Sequence, residues 1–166
     1  MKEDPTAMKP PSSPSCFTNA PDPTRRGHAD REEMLSLLNE LLEAERAGAK
    51  VTLRLSREAN DPAVDAALQA VAIDEARFCT MLCLQIERLG EAPTKKTGDF
   101  YQKVMALDGM DARLRLLDRG QGWVVRKIRE VLPRIVDGAL RKDLGDMLAT
   151  HERNIEACER LSARVR

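Results

Sequence analysis

Four stretches of the chain repeat apolar residues at intervals of three and four, the spacing of one face of an α-helix. The first runs over roughly 31–57 and turns Met34, Leu38, Leu41, Leu42, Glu45, Gly48 and Thr52 to one side. The second begins at Asn60-Asp61-Pro62, a cap followed by proline in the first turn, and reaches about Leu89, where Gly90 closes it. Its inward row is Val64, Leu68, Val71, Glu75, Phe78, Leu82 and Ile86. The third covers roughly 110–136, with Leu114, Leu117, Gln121, Val124, Val125, Ile128, Leu132 and Ile135 inward, and Pro133 is expected to kink or tighten its last turns. After Asp137-Gly138 the fourth runs to near the C-terminus, carrying Leu140, Leu144, Met147, Leu148, His151, Ile155, Cys158 and Leu161.

The links differ in length. A few residues around 58–60 join the first pair of segments, and Asp137-Gly138 joins the last pair; short links make antiparallel neighbours. The stretch from Gly90 to Gly109 is much longer, holds Pro93, Lys95, Lys96 and Gly98, and is expected to contain a short helical piece from Phe100 to Leu107. There is also an internal echo. Asp61-Pro-Ala-Val with Leu68, Val71 and Glu75 lies over Asp137-Gly-Ala-Leu with Leu144, Met147 and His151 at a constant offset, which supports two similar hairpins.

Residues 1–29 hold Pro5, Pro10, Pro11, Pro14, Pro21 and Pro23 among Ser, Thr and Asn, and are expected to form a disordered arm. The folded domain is placed at 30–166. Asp30 can cap its first helix, with Glu32 and Glu33 in the first turn where acid is favoured.

Composition narrows the class. The 27 Lys and Arg balance 27 Asp and Glu, so nothing suggests a polyanion partner; no nucleic acid is expected. Aromatics are 3% of the chain, too few for a sandwich or barrel, and the apolar set is rich in Ala and Leu, so the fold class is all-α. No run of 18 apolar residues or secretory h-region is present, and the expectation is a cytoplasmic protein with no membrane partner. Cys16, Cys79, Cys83 and Cys158 form no C-x-x-C pair and read as reduced; Cys79 and Cys83 read as small apolar filler, with a thiolate site as the alternative.

Each apolar row carries one central polar side chain: Glu45, Glu75, Gln121 and His151. Midpoints of antiparallel helices lie at about the same height, so the four are expected to share one layer in the core. A lone carboxylate there would protonate or seek a partner. Two carboxylates, an amide and an imidazole can satisfy one another or hold a cation such as iron or manganese.

Three segments carry a resemblance. Leu41-Leu42-Glu43-Ala44-Glu45-Arg46-Ala47-Gly48, Asp74-Glu75-Ala76-Arg77-Phe78 and His151-Glu152-Arg153-Asn154-Ile155 resemble the ferritin-like superfamily, in the broad rubrerythrin and bacterioferritin sense and among small bacterial domains of that kind. The resemblance implies a four-helix bundle with one long crossover between helices two and three. It also implies a di-metal centre with a Glu on helices one and three and Glu-x-x-His on helices two and four. Glu45, Glu75 and His151 fit three of those positions. Phe78 stands for the first histidine, Gln121 for the third-helix carboxylate and Leu148 for the fourth-helix carboxylate. The internal echo offers another register, with His151 in the carboxylate slot and Asn154 in the histidine slot, and that does not restore the set either. A dinuclear oxidase site is therefore not expected. One ion on Glu45, Glu75 and His151, completed by Gln121 or water, stands beside a metal-free hydrogen-bonded network.

The other polar residues near these positions read as surface. Glu43, Glu152, Asp74 and Asp146 are expected outward, and Arg77 in a surface salt bridge. Gly48, Gly120 and Gly122 interrupt helices beside the layer and read as tight packing or a local bulge. Trp123 covers an edge of the bundle or a dimer contact, and the alternating Val51, Leu53 and Leu55 mark either a second buried face or packing at a helix end.

With His28 in the arm, His151 is the one imidazole left for the core. Three functions follow as expectations. The first is a ferritin-like protein with a degenerate di-metal site, binding a single iron or manganese ion or keeping a residual redox role. The second is a scaffold or homodimer without metal chemistry. The third is a small-molecule pocket in the polar layer. Whether the chain is an enzyme is left open.

Overall fold

The computed structural model describes residues 27–164, and side chains as far as Arg160. The proline-rich residues before Gly27, Cys16 among them, and the side chain of Leu161 lie outside the described residues. Among those described there are five α-helices, one 3-10 turn and no strand: α1 (Arg31–Glu58), α2 (Pro62–Arg88), α3 (Phe100–Met105), α4 (Met110–Val131) and α5 (Gly138–Arg164). No helix among the described residues is long and apolar enough to cross a membrane.

The helix starts follow the local chemistry of the sequence. Asp30 accepts the Glu33 amide at 2.8 Å, and Asp61 accepts the Ala63 amide at 2.8 Å with Pro62 in the first turn. Asp137 receives the Leu140 amide at 2.8 Å as α5 begins, and that bond holds its carboxyl below the usual carboxylate range. Asp30→Ala removes a partner from an exposed helix end. It is expected to cost about 1 kcal/mol, read as a lower urea midpoint with an unchanged slope.

Two ends differ from expectation. The short helix of the crossover stops at Met105 rather than Leu107. The third long helix stops at Val131 rather than near 136, because Pro133 has no N–H for the ladder; Leu132–Arg134 tightens into a 3-10 turn. That turn has a use. Ala29 donates to the Arg134 carbonyl at 3.2 Å, and Arg134 Nε donates back to the Gly27 carbonyl at 3.2 Å. The last residues assigned to the arm are thus held against the bundle, while His28 is exposed as expected.

The four long helices pack as two hairpins, α1 on α2 and α4 on α5, with α1 also against α4 and α2 against α5. One apolar cluster gathers Leu38, Leu42, Phe78, Leu82, Ile128 and Leu144; a second gathers Val51, Leu55, Leu68, Leu114, Leu117 and Cys158. Every residue of the inward rows on α1 and α2 is buried. On α5 the face is turned slightly from the expected one. Leu148 and Ile155 are half-buried, whereas Thr150 and Asn154 are buried. Val51 and Leu55 face the second cluster and Leu53 is 46% exposed, so the alternating run is packing at a helix end and not a second buried face.

The crossover from Gly90 to Gly109 is tied along α1. The Thr94 amide donates to Asn39 Oδ1 at 2.8 Å, and the Thr94 hydroxyl donates to Glu43 Oε1 at 2.9 Å. Arg46 reaches the carbonyls of Thr94 and Lys96. Glu43 is therefore not a free surface acid: it is half-buried and anchors the crossover. The strap delivers Phe100 onto α4, where its ring lies over Gly120; a Cβ there would stand 2.7 Å from Phe100 Cζ.

Candidate functional site

Between the two apolar clusters lies a polar layer. Glu45, Glu75, Gln121 and His151, one from each long helix, meet there with at most 3% exposure each. Thr52, one turn beyond Gly48 on α1, joins them and had been placed only in the inward row. The four expected residues therefore do share one height in the core.

They form a chain of contacts. Thr52 Oγ1 lies 3.0 Å from Glu75 Oε2, and Gln121 Nε2 donates to Glu75 Oε1 at 2.7 Å. Gln121 Oε1 meets His151 Nδ1, and His151 Nε2 lies 3.2 Å from Glu45 Oε1. With the amide nitrogen spent on Glu75, its oxygen can only accept, so His151 carries a proton on Nδ1. His151 Nε2 and Glu45 Oε1 are then both acceptors unless a second proton lies between them. Glu45 Oε2 and His151 Nε2 are buried with no hydrogen-bond partner.

Glu75 is held well above the usual carboxylate range, first by burial and then by the charge of Glu45. The surroundings suit its neutral form. Its Oε1 accepts from Gln121; a proton on Oε2 can be given to Thr52 Oγ1, which has the Gly48 carbonyl at 3.1 Å as its own acceptor. Each proton in that corner then has an acceptor, and Glu75 Oε1 has a donor.

Gly48 makes the corner possible. A Cβ at this position would stand 2.4 Å from Glu75 Oε1 and 2.9 Å from its Cδ, so the missing side chain is the space the carboxyl occupies. This is a close approach between α1 and α2 and not a bulge. Gly122 is different, since a Cβ there meets only Arg126 at 3.5 Å.

Phe78 fills the position the resemblance gives to a second imidazole. Its ring stacks on His151 with centroids 5.7 Å apart, and Arg77 Cζ lies over the ring 4.4 Å from its centroid. Arg77 also pairs with Asp74 at 3.1 Å, as expected for the surface. Cys79 is half-buried beside the core, its thiol pushed up to about 12 by burial and then by Glu45, which keeps it protonated and poorly nucleophilic. Cys158 is likewise pushed up to about 12 by burial.

A cavity of about 650 Å³ opens onto the layer between α1, α4 and the crossover. Glu45, Glu75 and Gln121 form its floor. Leu117, Val124, Phe100 and Trp123 supply apolar wall, and Lys103, Arg119 and Arg126 stand exposed at its rim. Trp123 thus covers an edge of the bundle and lines this cavity, with Lys127 5.4 Å from its ring. A pocket at the polar layer was one of the three expectations; its walls were not legible in the sequence, because the crossover builds one of them.

Residues 32–160 match the family described as Domain of unknown function (DUF6306). The chain belongs to this family. The DUF6306 match covers α2, α4, the crossover and most of α1 and α5, so the polar layer and the cavity both lie inside it. Comparison with curated proteins and with solved structures returns no match.

The residues do not fit a two-metal centre. Phe78 and Leu148 offer no ligand atom, Gln121 is spent between Glu75 and His151, and both Glu75 oxygens have partners. Among the described residues no three His, Cys, Asp or Glu side chains stand around a common point as a metal site.

Proposed function

We propose that this chain is a ferritin-like four-helix bundle that binds a small organic molecule in the cavity above its polar layer. The order of hairpin, crossover and hairpin supports the ferritin-like shape. The observation that carries the binding function is the cavity itself. At about 650 Å³ it lies within the range of ligand pockets, and its apolar walls end on a few convergent polar groups, Glu45, Glu75 and Gln121.

Native mass spectrometry of the full chain, isolated without added metal, tests this reading. The expected spectrum shows the chain plus one organic molecule. Ala44→Phe, which puts a ring into the cavity from α1, is expected to remove that adduct. The bare chain mass in both proteins overturns the proposal.

One observation favours a second reading, a single iron or manganese ion. Glu45 and His151 present lone pairs 3.2 Å apart, and Glu45 Oε2 and His151 Nε2 have no donor. Such an ion would have those two side chains as its own ligands, with water or a molecule from the cavity completing its shell. A mass excess of one such ion, removed by a chelator and lost in His151→Ala, would decide for it.

A further inference from the structure

We propose that the ligand is a small organic ammonium, a primary amine on a short apolar chain, seated with its nitrogen on the Glu45 carboxylate. The inference rests on the cavity being a ligand site and goes on to name what fills it.

The floor is short of donors. Glu45 is 1% exposed and lines the cavity, and its Oε2 has no hydrogen-bond partner. Leaving such an atom unpaired costs about 1–3 kcal/mol, more when it is charged. The one basic side chain described beside it, His151, faces the other oxygen: its Nε2 lies 3.2 Å from Oε1 and brings Oε2 no donor. Lys103 is bound at the rim to Asp99 at 2.9 Å, and Arg119 and Arg126 are exposed. A ligand that brings donors and positive charge therefore gains most at this floor.

The alternatives fit less well. An anion would meet the Glu45 carboxylate and bring it no donor. An alcohol brings one donor and no charge, while an ammonium brings three donors and a full charge. The walls choose the rest of the molecule. Leu117, Val124, Phe100 and Trp123 offer apolar and aromatic surface, which suits a hydrocarbon chain and leaves a large part of about 650 Å³ unused by a bare ion.

Trp123 is the single tryptophan of the chain, so its emission reports on this wall. n-Hexylamine, 1-hexanol and hexanoate are titrated into the full chain near neutral pH, where the amine is charged. Emission and calorimetry are followed together. Hexylamine is expected to bind one to one, about ten-fold or more tighter than hexanol, with hexanoate weakest. Glu45→Gln is expected to lose about that factor for hexylamine and to keep the hexanol affinity.

Hexanol or hexanoate binding as tightly as hexylamine overturns the ammonium while the ligand site stands. Failure of all three probes to bind overturns both. An unchanged hexylamine affinity in Glu45→Gln, its fold checked by circular dichroism, also overturns the proposal. If that variant does not fold, the three probes on the unaltered chain decide alone.

Discussion

Gly48→Ala is expected to lower stability by about 2 kcal/mol, the size of an overpacking defect in a tight core. The direction is informative, because the same exchange in an ordinary helix interior stabilises by up to about 1 kcal/mol. Here the new Cβ would stand 2.4 Å from Glu75 Oε1, and the atom it meets is not a free end. That oxygen accepts from Gln121, and its twin lies against Thr52. Moving the carboxyl breaks one of those bonds where Glu75, 1% exposed, has little water to replace it. Gly145→Ala is the internal comparison. It lies within α5, has nothing within 4 Å of a Cβ, and is expected to raise the urea midpoint. Gly48→Ala melting at or above the parent would show that α1 and α2 are not held together at this point.

The second large effect is on pH dependence. Glu75 has a raised carboxyl pKa in the folded chain, from burial and the charge of Glu45. Between its unfolded and folded values the native state binds more protons than the unfolded one, so stability falls as pH rises through that window. The contribution is fully present below the unfolded value and is lost above the folded one. The slope is at most about 1.4 kcal/mol per pH unit. Glu75→Gln mimics the neutral form and keeps an oxygen for the Gln121 amide. Its stability is expected to vary less with pH than the parent's, the two curves separating as pH rises above the ordinary carboxylate range. Parallel curves from urea melts across that range would mean that Glu75 does not carry the proton.

These two predictions concern one corner of the core, and the sequence showed that corner unevenly. Glu45, Glu75, Gln121 and His151 were legible because a polar residue in the middle of an apolar helical row is conspicuous, and because short links fix which helices run antiparallel. Their meeting in one layer followed from helix length alone. Thr52 stood in the same inward row, yet its role depends on a hydroxyl 3.0 Å from a carboxylate on another helix. Glu43 looked like a surface acid because its sequence neighbours are polar. Its partner, Thr94, lies in the crossover, which has no periodicity to place it.

The α5 face shows a subtler limit. The heptad-like row named Leu148 and Ile155, but the buried side turns toward Thr150 and Asn154. Periodicity gives the existence of a face and leaves its centre uncertain by part of a turn; the packing of α5 on α4 and α2 sets it.

The sequence by itself determined the elements, their caps, the two hairpins and the identity of the central polar residues, because each depends on neighbours within a few positions. It also determined that one imidazole serves the core. The tertiary structure decided the proton arrangement, the use of Gly48 as space for a carboxyl, and the cavity beneath the crossover. Those depend on which atoms of distant segments come within bonding distance, and a change of one ångström there decides whether a lone pair has a partner.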